Sequence, residues 1–140
     1  MSVRYFLDTN IFVYANDLTA PAKRECAASI IADALEENCG SVSFQVIQEF
    51  FSVAFRKFAS PLSIPQAERY LSEVFRPMLR VHSSERLYSD ALTIRVRYRI
   101  NWYDSIIVAS AVQARCDVLF TEDLQHGLQI GDLTIRNPFV

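Results

Sequence analysis

The sequence of 140 residues suits one domain, residues 1–140, which is long enough to bury a sizeable core. Hydrophobic residues make up 51% of it, which excludes disorder, and only three glycines occur, which leaves no Gly-rich loop for a nucleotide phosphate. The net charge of −2 is no signal for nucleic acid, whose binding would need a local basic patch. The sequence predicts a cytoplasmic protein, because its three cysteines are scattered, no apolar run is long enough to span a membrane, and its start (residues 1–7) is too short for a signal peptide.

Predicted strands and helices alternate along the chain. Apolar runs predict short strands over residues 3–7, 41–43, 78–81, 117–120 and 133–135. Helical spacing predicts helices from Ile11 and over residues 21–38, 44–58, 66–76 and 106–115. Residues 84–99 fit a helix or a half-exposed strand, and the helix is favoured because Ser84 begins one cleanly. Strands separated by helices predict an α/β fold with a mostly parallel central sheet of about five strands flanked by helices.

Asp8 stands directly after the first predicted strand and before a helix. In open α/β sheets, ligands bind in the crevice beyond the carboxyl ends of the strands, so Asp8 occupies a position where chemistry takes place. The alternative is a helix N-cap, a position that Asp, Thr and Asn all fill well. Both interpretations stay open on this stretch alone.

The helix predicted over residues 44–58 carries a second acidic candidate. Glu49 lies at the margin of the polar stripe, beside Val53, where a partly buried carboxylate needs a partner. A solvated glutamate paired with Arg56 is the commoner alternative. The apolar face of this helix is expected to follow Phe44, Ile47, Phe51, Phe55 and Phe58, and to be widened by Val46, Phe50 and Val53.

Two further acidic residues have comparable positions. Asp123 follows the strand over residues 117–120, and Asp104 opens the buried helix over residues 106–115. Parallel strands place Asp8 and Asp123 at one edge of the sheet, and returning helices can bring Asp104 and Glu49 to it. Clustered carboxylates repel, and oxygen ligands select Mg²⁺ or Mn²⁺ over zinc. The spacing therefore predicts metal-dependent phosphate chemistry, without naming a substrate.

A local basic cluster lies beside aromatic residues near position 100. Arginine with aromatic groups suits phosphate contact and base stacking, although a solvated helix face is the commoner explanation for such a run. The cluster consists of Arg95, Arg97 and Arg99, next to Tyr98, Trp102 and Tyr103.

With these residues in place, the chain resembles the PIN-domain ribonucleases, particularly the VapC-type toxins of toxin–antitoxin pairs, over nearly its whole length. The opening FLDTNIFVY is similar to the motif that carries the first acidic residue of that family, here Asp8. The segment QEF supplies Glu49 as the second, and WYDSIIVASAVQARCDVLFTEDLQHG supplies Asp104 and Asp123. Glu122 could compete for the fourth role, and the family pattern favours Asp123.

The resemblance implies a Mg²⁺- or Mn²⁺-dependent endoribonuclease, usually a homodimer, that is inhibited by an antitoxin segment lying over the active site. It implies that Asp8, Glu49 and Asp104 hold the principal ion, and that Asp123 ligates it directly, through water or at a second ion. Water would attack a backbone phosphate, so that the RNA products carry 5′-phosphate and 3′-hydroxyl ends. The implied supporting polar residues are Thr9, Asn10, Thr121 and Ser105, the last where Ala is more usual, and the candidate RNA contacts are Arg95, Arg97, Arg99 and Arg115.

Two other functions fit parts of the pattern. A phosphatase of the haloacid-dehalogenase type would need a second Asp where Asn10 stands and a lysine after a later strand, whereas neither Lys23 nor Lys57 follows a strand. A non-catalytic module that binds RNA or protein is the stronger alternative. The complete acidic set argues against it, because a pure RNA binder gains nothing from negative charge near phosphates.

Overall fold

The computed structural model describes residues 3–140, so the first two residues of the start considered for a signal peptide lie outside it. Its six strands form one sheet in the order β3-β2-β1-β4-β6-β5. All pairings are parallel except that of β5 with β6. The strands are β1 (Tyr5–Leu7), β2 (Gly40–Ser43), β3 (Leu79–Val81), β4 (Val118–Phe120), β5 (Gln129–Ile130) and β6 (Leu133–Arg136).

The predicted α/β fold with a mostly parallel sheet is confirmed. The sheet has six strands where about five were expected, because β5 consists of only two residues and pairs with β6 as a hairpin. A segment this short has no alternating pattern that a sequence could reveal.

Seven helices are described: α1 (Thr9–Ala15), α2 (Pro21–Glu36), α3 (Phe44–Arg56), α4 (Ile64–Tyr70), α5 (Arg76–Met78), α6 (Glu85–Tyr98) and α7 (Trp102–Gln113). The helix predicted over residues 66–76 is divided into three segments, with a π-helical turn (Leu71–Phe75) between α4 and α5. The ambiguous stretch is helical, as favoured, and the Ser84 hydroxyl caps α6 by accepting a 3.1 Å hydrogen bond from the Leu87 N–H.

The buried face of α3 differs from the expected one. Val46, Phe50 and Ala54 are fully buried, at a spacing of four residues, whereas Phe55 is 44% exposed. Phe50 packs against the rings of Phe12 and Phe75, so the side of α3 that carries Phe50 faces the core. Val46 and Phe50, expected only to widen the apolar face, are therefore at its centre, and Phe55, expected on the face, lies at its exposed margin.

The strand order creates a switch point that positions the candidate site. From β1 the chain moves outward to β2 and β3, and it then returns across the sheet to β4 on the other side of β1. Because such crossovers are right-handed, α1, α2 and α3 cover one face and α6 and α7 cover the other. Ligands of open α/β sheets bind at this reversal, here beyond the carboxyl ends of β1 and β4.

None of the helices within residues 3–140 combines the length and the hydrophobicity needed to span a bilayer.

Candidate functional site

A cleft of about 630 Å³ opens at the switch point between β1 and β4. Asp8 ends β1 and Asp123 follows β4, while α3 and α7 contribute the other two acidic residues. The structure therefore brings all four predicted carboxylates to one cleft: Asp8, Glu49, Asp104 and Asp123.

Asp8 is both a helix cap and a cleft residue. Its N–H donates to the Phe120 carbonyl at 3.0 Å, which extends the pairing of β1 with β4 by one residue. Its Oδ1 accepts a 2.7 Å hydrogen bond from the Thr9 N–H at the start of α1, and its Oδ2 accepts a 2.8 Å bond from the Thr121 hydroxyl. Asp8 is therefore a helix N-cap and also lies in the cleft beyond the strand ends, so the two interpretations that the sequence left open do not exclude each other.

The environment of Asp8 favours its neutral form when no cation is present. The residue is only 4% exposed. Burial raises the pKa of its carboxyl group from 3.8 to about 7, and the nearby charges of Asp123 and Glu49 act in the same direction. The hydrogen bonds from Thr121 and Thr9 oppose this rise, since both stabilise the carboxylate.

Asp104 is fixed by the residue that begins its helix. The sequence predicted a helix opened by Asp104 and Ser105, whereas α7 begins at Trp102 with Asn101 as its N-cap. The Asn101 side chain accepts from the Asp104 N–H at 2.8 Å and donates from Nδ2 to Asp104 Oδ2 at 2.7 Å. Partial burial raises the pKa of Asp104, as does the charge of Asp123, while the Asn101 hydrogen bond lowers it.

Asp123 lies at the mouth of the cleft and is tied to the two segments beside it. Its N–H donates to the Thr121 hydroxyl at 3.1 Å, and its Oδ2 accepts a 3.2 Å hydrogen bond from Asn10 Nδ2. Asn10 Nδ2 also lies 3.4 Å from the Thr121 hydroxyl. Desolvation raises the pKa of Asp123, the hydrogen bond from Asn10 lowers it, and the charge of Glu122 raises it.

Glu49 faces the same cleft from α3 and has the partner that its position requires. The Thr9 hydroxyl donates a 2.9 Å hydrogen bond to Glu49 Oε1. Arg56, the partner considered in the solvated alternative, instead donates to the carbonyl and hydroxyl oxygens of Ser52. Thr9 therefore links two of the four carboxylates, since its N–H holds Asp8 and its hydroxyl holds Glu49.

Glu122 lines the same cleft but is not a member of the cluster formed by Asp8, Asp104 and Asp123. Its Oε1 accepts a 2.7 Å hydrogen bond from the Tyr14 hydroxyl, and its Oε2 lies 3.4 Å from Lys23 Nζ. Ser105 is fully buried and donates to the Asn101 carbonyl at 2.7 Å, so it stabilises the first turn of α7 and does not line the cleft.

The four arginines predicted as RNA contacts are exposed and lie outside the lining of the cleft. Arg95 and Arg97 belong to the last turn of α6, and Arg99 caps it in a left-handed conformation. Arg115 lies between α7 and the start of β4, at the edge of the sheet opposite Asp123.

The sequence prediction missed Asn101 and Lys57 in this region, and it named Tyr103 only as a neighbour of the arginine cluster. Asn101 was identifiable, because an asparagine three residues before an acidic first-turn residue is a typical N-cap. Lys57 and Tyr103 both line the cleft. Lys57 follows Glu49 and Val53 at a spacing of four residues, a signal that becomes useful only once the cleft-facing side of α3 is known.

The acidic cluster has the donor set of a hard divalent cation. Asp8, Asp104 and Asp123 can each present a carboxylate oxygen within 4.8 Å of the other two. The Oδ1 atom of Asn10, in the lining of the same cleft, is buried without a hydrogen-bond partner among residues 3–140, although buried acceptors are normally paired. All of these donors are oxygen atoms, which suits Mg²⁺ or Mn²⁺, and a cation would offset the desolvation and, after it, the charge repulsion that raise the three carboxyl pKa values.

Comparison with known proteins identifies solved structures that share this architecture. No curated protein sequence matches the chain. Similar solved structures include a toxin–antitoxin complex from Klebsiella pneumoniae, with 20% identity, 98% of both chains covered and a TM-score of 0.64. VapBC2 from Rickettsia felis, bound to a DNA fragment from its promoter, has 18% identity, covers 96% of this chain and 98% of that one, and gives a TM-score of 0.67. Mycobacterium tuberculosis VapC20, a sarcin–ricin loop cleaving toxin, has 19% identity, covers 85% and 89%, and gives 0.64.

At such identities these structures show a common fold. The PIN domain family model matches residues 5–127, which include β1, the switch point and all four carboxylates of the cleft. The chain therefore belongs to the PIN domain family.

Proposed function

We propose that the protein is a metal-dependent endoribonuclease that cleaves RNA phosphodiester bonds, and that it is the toxin of a toxin–antitoxin pair. The observation that carries the proposal is the convergence of Asp8, Asp104 and Asp123 within 4.8 Å at the switch point. Clustering three carboxylates is costly unless they serve a cation, and a carboxylate-held cation suits phosphoryl chemistry.

Asp8, Asp104 and Asp123, with Glu49 beside them, would hold the Mg²⁺ or Mn²⁺ ion. When bound, such an ion supplies charge stabilisation for the phosphate and a nucleophile at neutral pH. The chain's own contribution is to fix the ligands before substrate arrives. Asp8 and Asp123 are oriented by the hydrogen bonds of Thr9, Thr121 and Asn10 described above, and Asp104 is oriented by Asn101.

The partner proposals have separate support. The Klebsiella and Rickettsia structures are toxin–antitoxin complexes, which supports a cognate antitoxin for this chain. The homodimer, the cytoplasmic location and the RNA contacts of the four arginines stay predictions from the sequence.

The test is expression of the wild type and of Asp8→Asn in cells that lack the antitoxin, followed by mapping of new RNA ends across all transcripts. Asp132→Asn is the matched control, because Asp132 is exposed and lies outside the cleft. We expect new 5′-phosphate ends at a few sites with the wild type and with Asp132→Asn, and none with Asp8→Asn.

Cyclic 2′,3′-phosphate ends would contradict the mechanism, since they arise by attack of the RNA 2′-hydroxyl. The absence of new ends, with folded protein present, would favour the non-catalytic binding module.

A further inference from the structure

Helix α3 forms one wall of the cleft along most of its length. Residues at a spacing of four face the cleft: Gln45, Glu49, Val53 and, directly after the helix, Lys57. With a rise of about 1.5 Å per residue, the wall from Gln45 to Lys57 measures roughly 18 Å. This wall, on which Glu49 lies between Gln45 and Lys57, defines the channel of the cleft.

One end of the channel carries an exposed aromatic ring. Tyr103 lines the cleft directly before Asp104 and is 64% exposed. Gln45 Nε2 donates a 3.2 Å hydrogen bond to the Tyr103 carbonyl, so the ring is held beside the start of α3. The Oε1 atom of Gln45 is buried and has no hydrogen-bond partner within residues 3–140, which leaves an acceptor beside the ring.

The other end carries a free cation. Of the lysine and arginine side chains in the described part of the chain, Lys57 alone lines the cleft, and no ion pair there involves it. Its neighbour Arg56 is turned away and bonded to Ser52. Lys23, the other lysine, does not line the cleft, and it is paired with Glu122.

We propose that single-stranded RNA lies along α3, with one base stacked on Tyr103, a backbone phosphate several nucleotides away bound by Lys57, and the scissile phosphate between them at the acidic cluster. This inference rests on the proposed function and deepens it. In a duplex the phosphates of one strand recur about every 3.4 Å along the helix axis, and an unstacked single strand is more extended, so a span of roughly 18 Å covers at most about five of them.

The chemistry of the two ends explains why such contacts are needed and which RNA they accept. The four carboxylates repel a polyanion, and a lysine with a stacking ring offsets that repulsion at points remote from the metal. A base can stack on Tyr103 only when it has left a duplex, so paired RNA is excluded. Stacking and phosphate contact tolerate any base, so they supply affinity, while the choice of sequence comes from other contacts.

The test measures binding with fluorescence anisotropy in the non-cleaving Asp8→Asn background with Mg²⁺, using a labelled mixed-sequence RNA of sixteen nucleotides. Lys57→Ala should weaken binding severalfold and flatten its dependence on salt by about one ion. Tyr103→Ala should weaken it roughly tenfold. The controls are Arg56→Ala, a neighbouring cation outside the cleft, and Tyr88→Ala, a partly exposed aromatic outside it; both should bind like the parent.

Conservative variants separate contact from structure. Tyr103→Phe should retain binding because it keeps the ring, and Lys57→Arg should retain it because it keeps the charge. The same RNA annealed to its complement should bind about tenfold more weakly than the single strand. Sodium polyphosphate, which has charge but no bases, should displace RNA from Tyr103→Ala at a lower concentration than from the parent, because the variant has lost the stacking contact and retains only the charge of Lys57.

Failure of this proposal is distinguishable from failure of the proposed function. If the wild type cleaves cellular RNA but the Lys57 and Tyr103 variants bind and cut like the controls, the channel assignment is wrong and the nuclease stands. If the single strand binds through both residues and nothing is cleaved, the channel stands and the nuclease falls. If neither binding nor cleavage is measurable, both are wrong.

Discussion

The hydroxyl group of Thr121 donates a 2.8 Å hydrogen bond to Oδ2 of Asp8, joining the segment after β4 to the end of β1 across 113 positions of the chain. The same hydroxyl accepts the Asp123 N–H at 3.1 Å. One fully buried threonine therefore orients two of the three clustered carboxylates. This gives Thr121 a larger role in the site than its chemistry alone would suggest, since a threonine hydroxyl is a weak ligand.

Replacing Thr121 by valine preserves its shape and removes both hydrogen bonds. We expect the pKa of Asp8 to rise further, because the Thr121 bond now lowers it, and the affinity for Mg²⁺ to fall by roughly tenfold or more. Calorimetric titration with Mn²⁺ and the Mg²⁺ concentration for half-maximal cleavage measure this effect. Thr121→Ser, which keeps the hydroxyl, should restore both; equal behaviour of the two variants would show that the bond is unimportant.

The stability of the metal-free protein should decrease as the pH rises from about 4 to about 7. Burial raises the pKa of Asp8 from 3.8 to about 7, so in this range the folded state holds a proton that the unfolded state has released. The contribution of the Asp8 proton to the free energy of unfolding is fully present below about pH 4 and is lost as the pH rises through the folded-state pKa. It amounts to a few kcal/mol at most, since each pKa unit corresponds to about 1.4 kcal/mol.

Thermal unfolding in EDTA, compared at about pH 5 and about pH 8, measures this dependence. Asp8→Asn does not titrate and should give a flatter profile and a higher melting temperature than the wild type at the upper pH. Added Mg²⁺ should stabilise the wild type more at the upper pH than at the lower one, because binding needs ionised carboxylates. A wild-type profile as flat as that of Asp8→Asn would contradict the assignment.

Asn101→Ala should reduce both stability and activity, because Asn101 caps α7 and also holds the Asp104 carboxylate at 2.7 Å. Loss of the cap costs about 1 kcal/mol. The matched control is Ser63→Ala, which removes the cap of α4 far from the cleft. Urea denaturation should show similar losses for both variants, whereas RNA cleavage should fall roughly tenfold only in Asn101→Ala. Equal activity of the two would reduce Asn101 to a structural role.

Two adjacent acidic residues offer a direct test of the fourth position. Asp123→Asn should reduce cleavage by roughly tenfold or more, since Asp123 is a member of the three-carboxylate cluster. Glu122→Gln should leave cleavage within about twofold, because the Glu122 carboxylate is bonded to Tyr14 and Lys23 and a partly exposed ion pair contributes little. The reverse ranking would assign the fourth role to Glu122.

Local patterns predicted more of this molecule than long-range ones. Buried strands that end in a carboxylate, and the cap at Ser84, are encoded within a few residues, so the α/β fold and the positions of Asp8 and Asp123 could be predicted. The proximity of Asp8 and Asp123 followed from the rule that parallel strands share a carboxyl edge, whereas Asp104 and Glu49 were expected to join them only if their helices returned across the sheet.

The features that the sequence did not predict depend on contacts between residues that are far apart in the chain. The buried ridge of α3 is selected by Phe12 and Phe75, which are remote in sequence from Phe50. The arginine cluster is conspicuous in sequence, but α6 carries it outside the cleft, whereas a single lysine after α3 lies inside it. No periodicity within one helix distinguishes these two outcomes.

The place of β1 at the centre of the sheet has a consequence for protein synthesis. Of the six strands of this sheet β1 is synthesised first, but its pairing is completed only by β4, and Asp8 meets Thr121 and Asp123 only then. An unfinished polypeptide therefore has an aspartate but no cleft. If the finished protein cleaves cellular RNA, the strand order itself keeps the nascent chain inactive on the ribosome that is translating it.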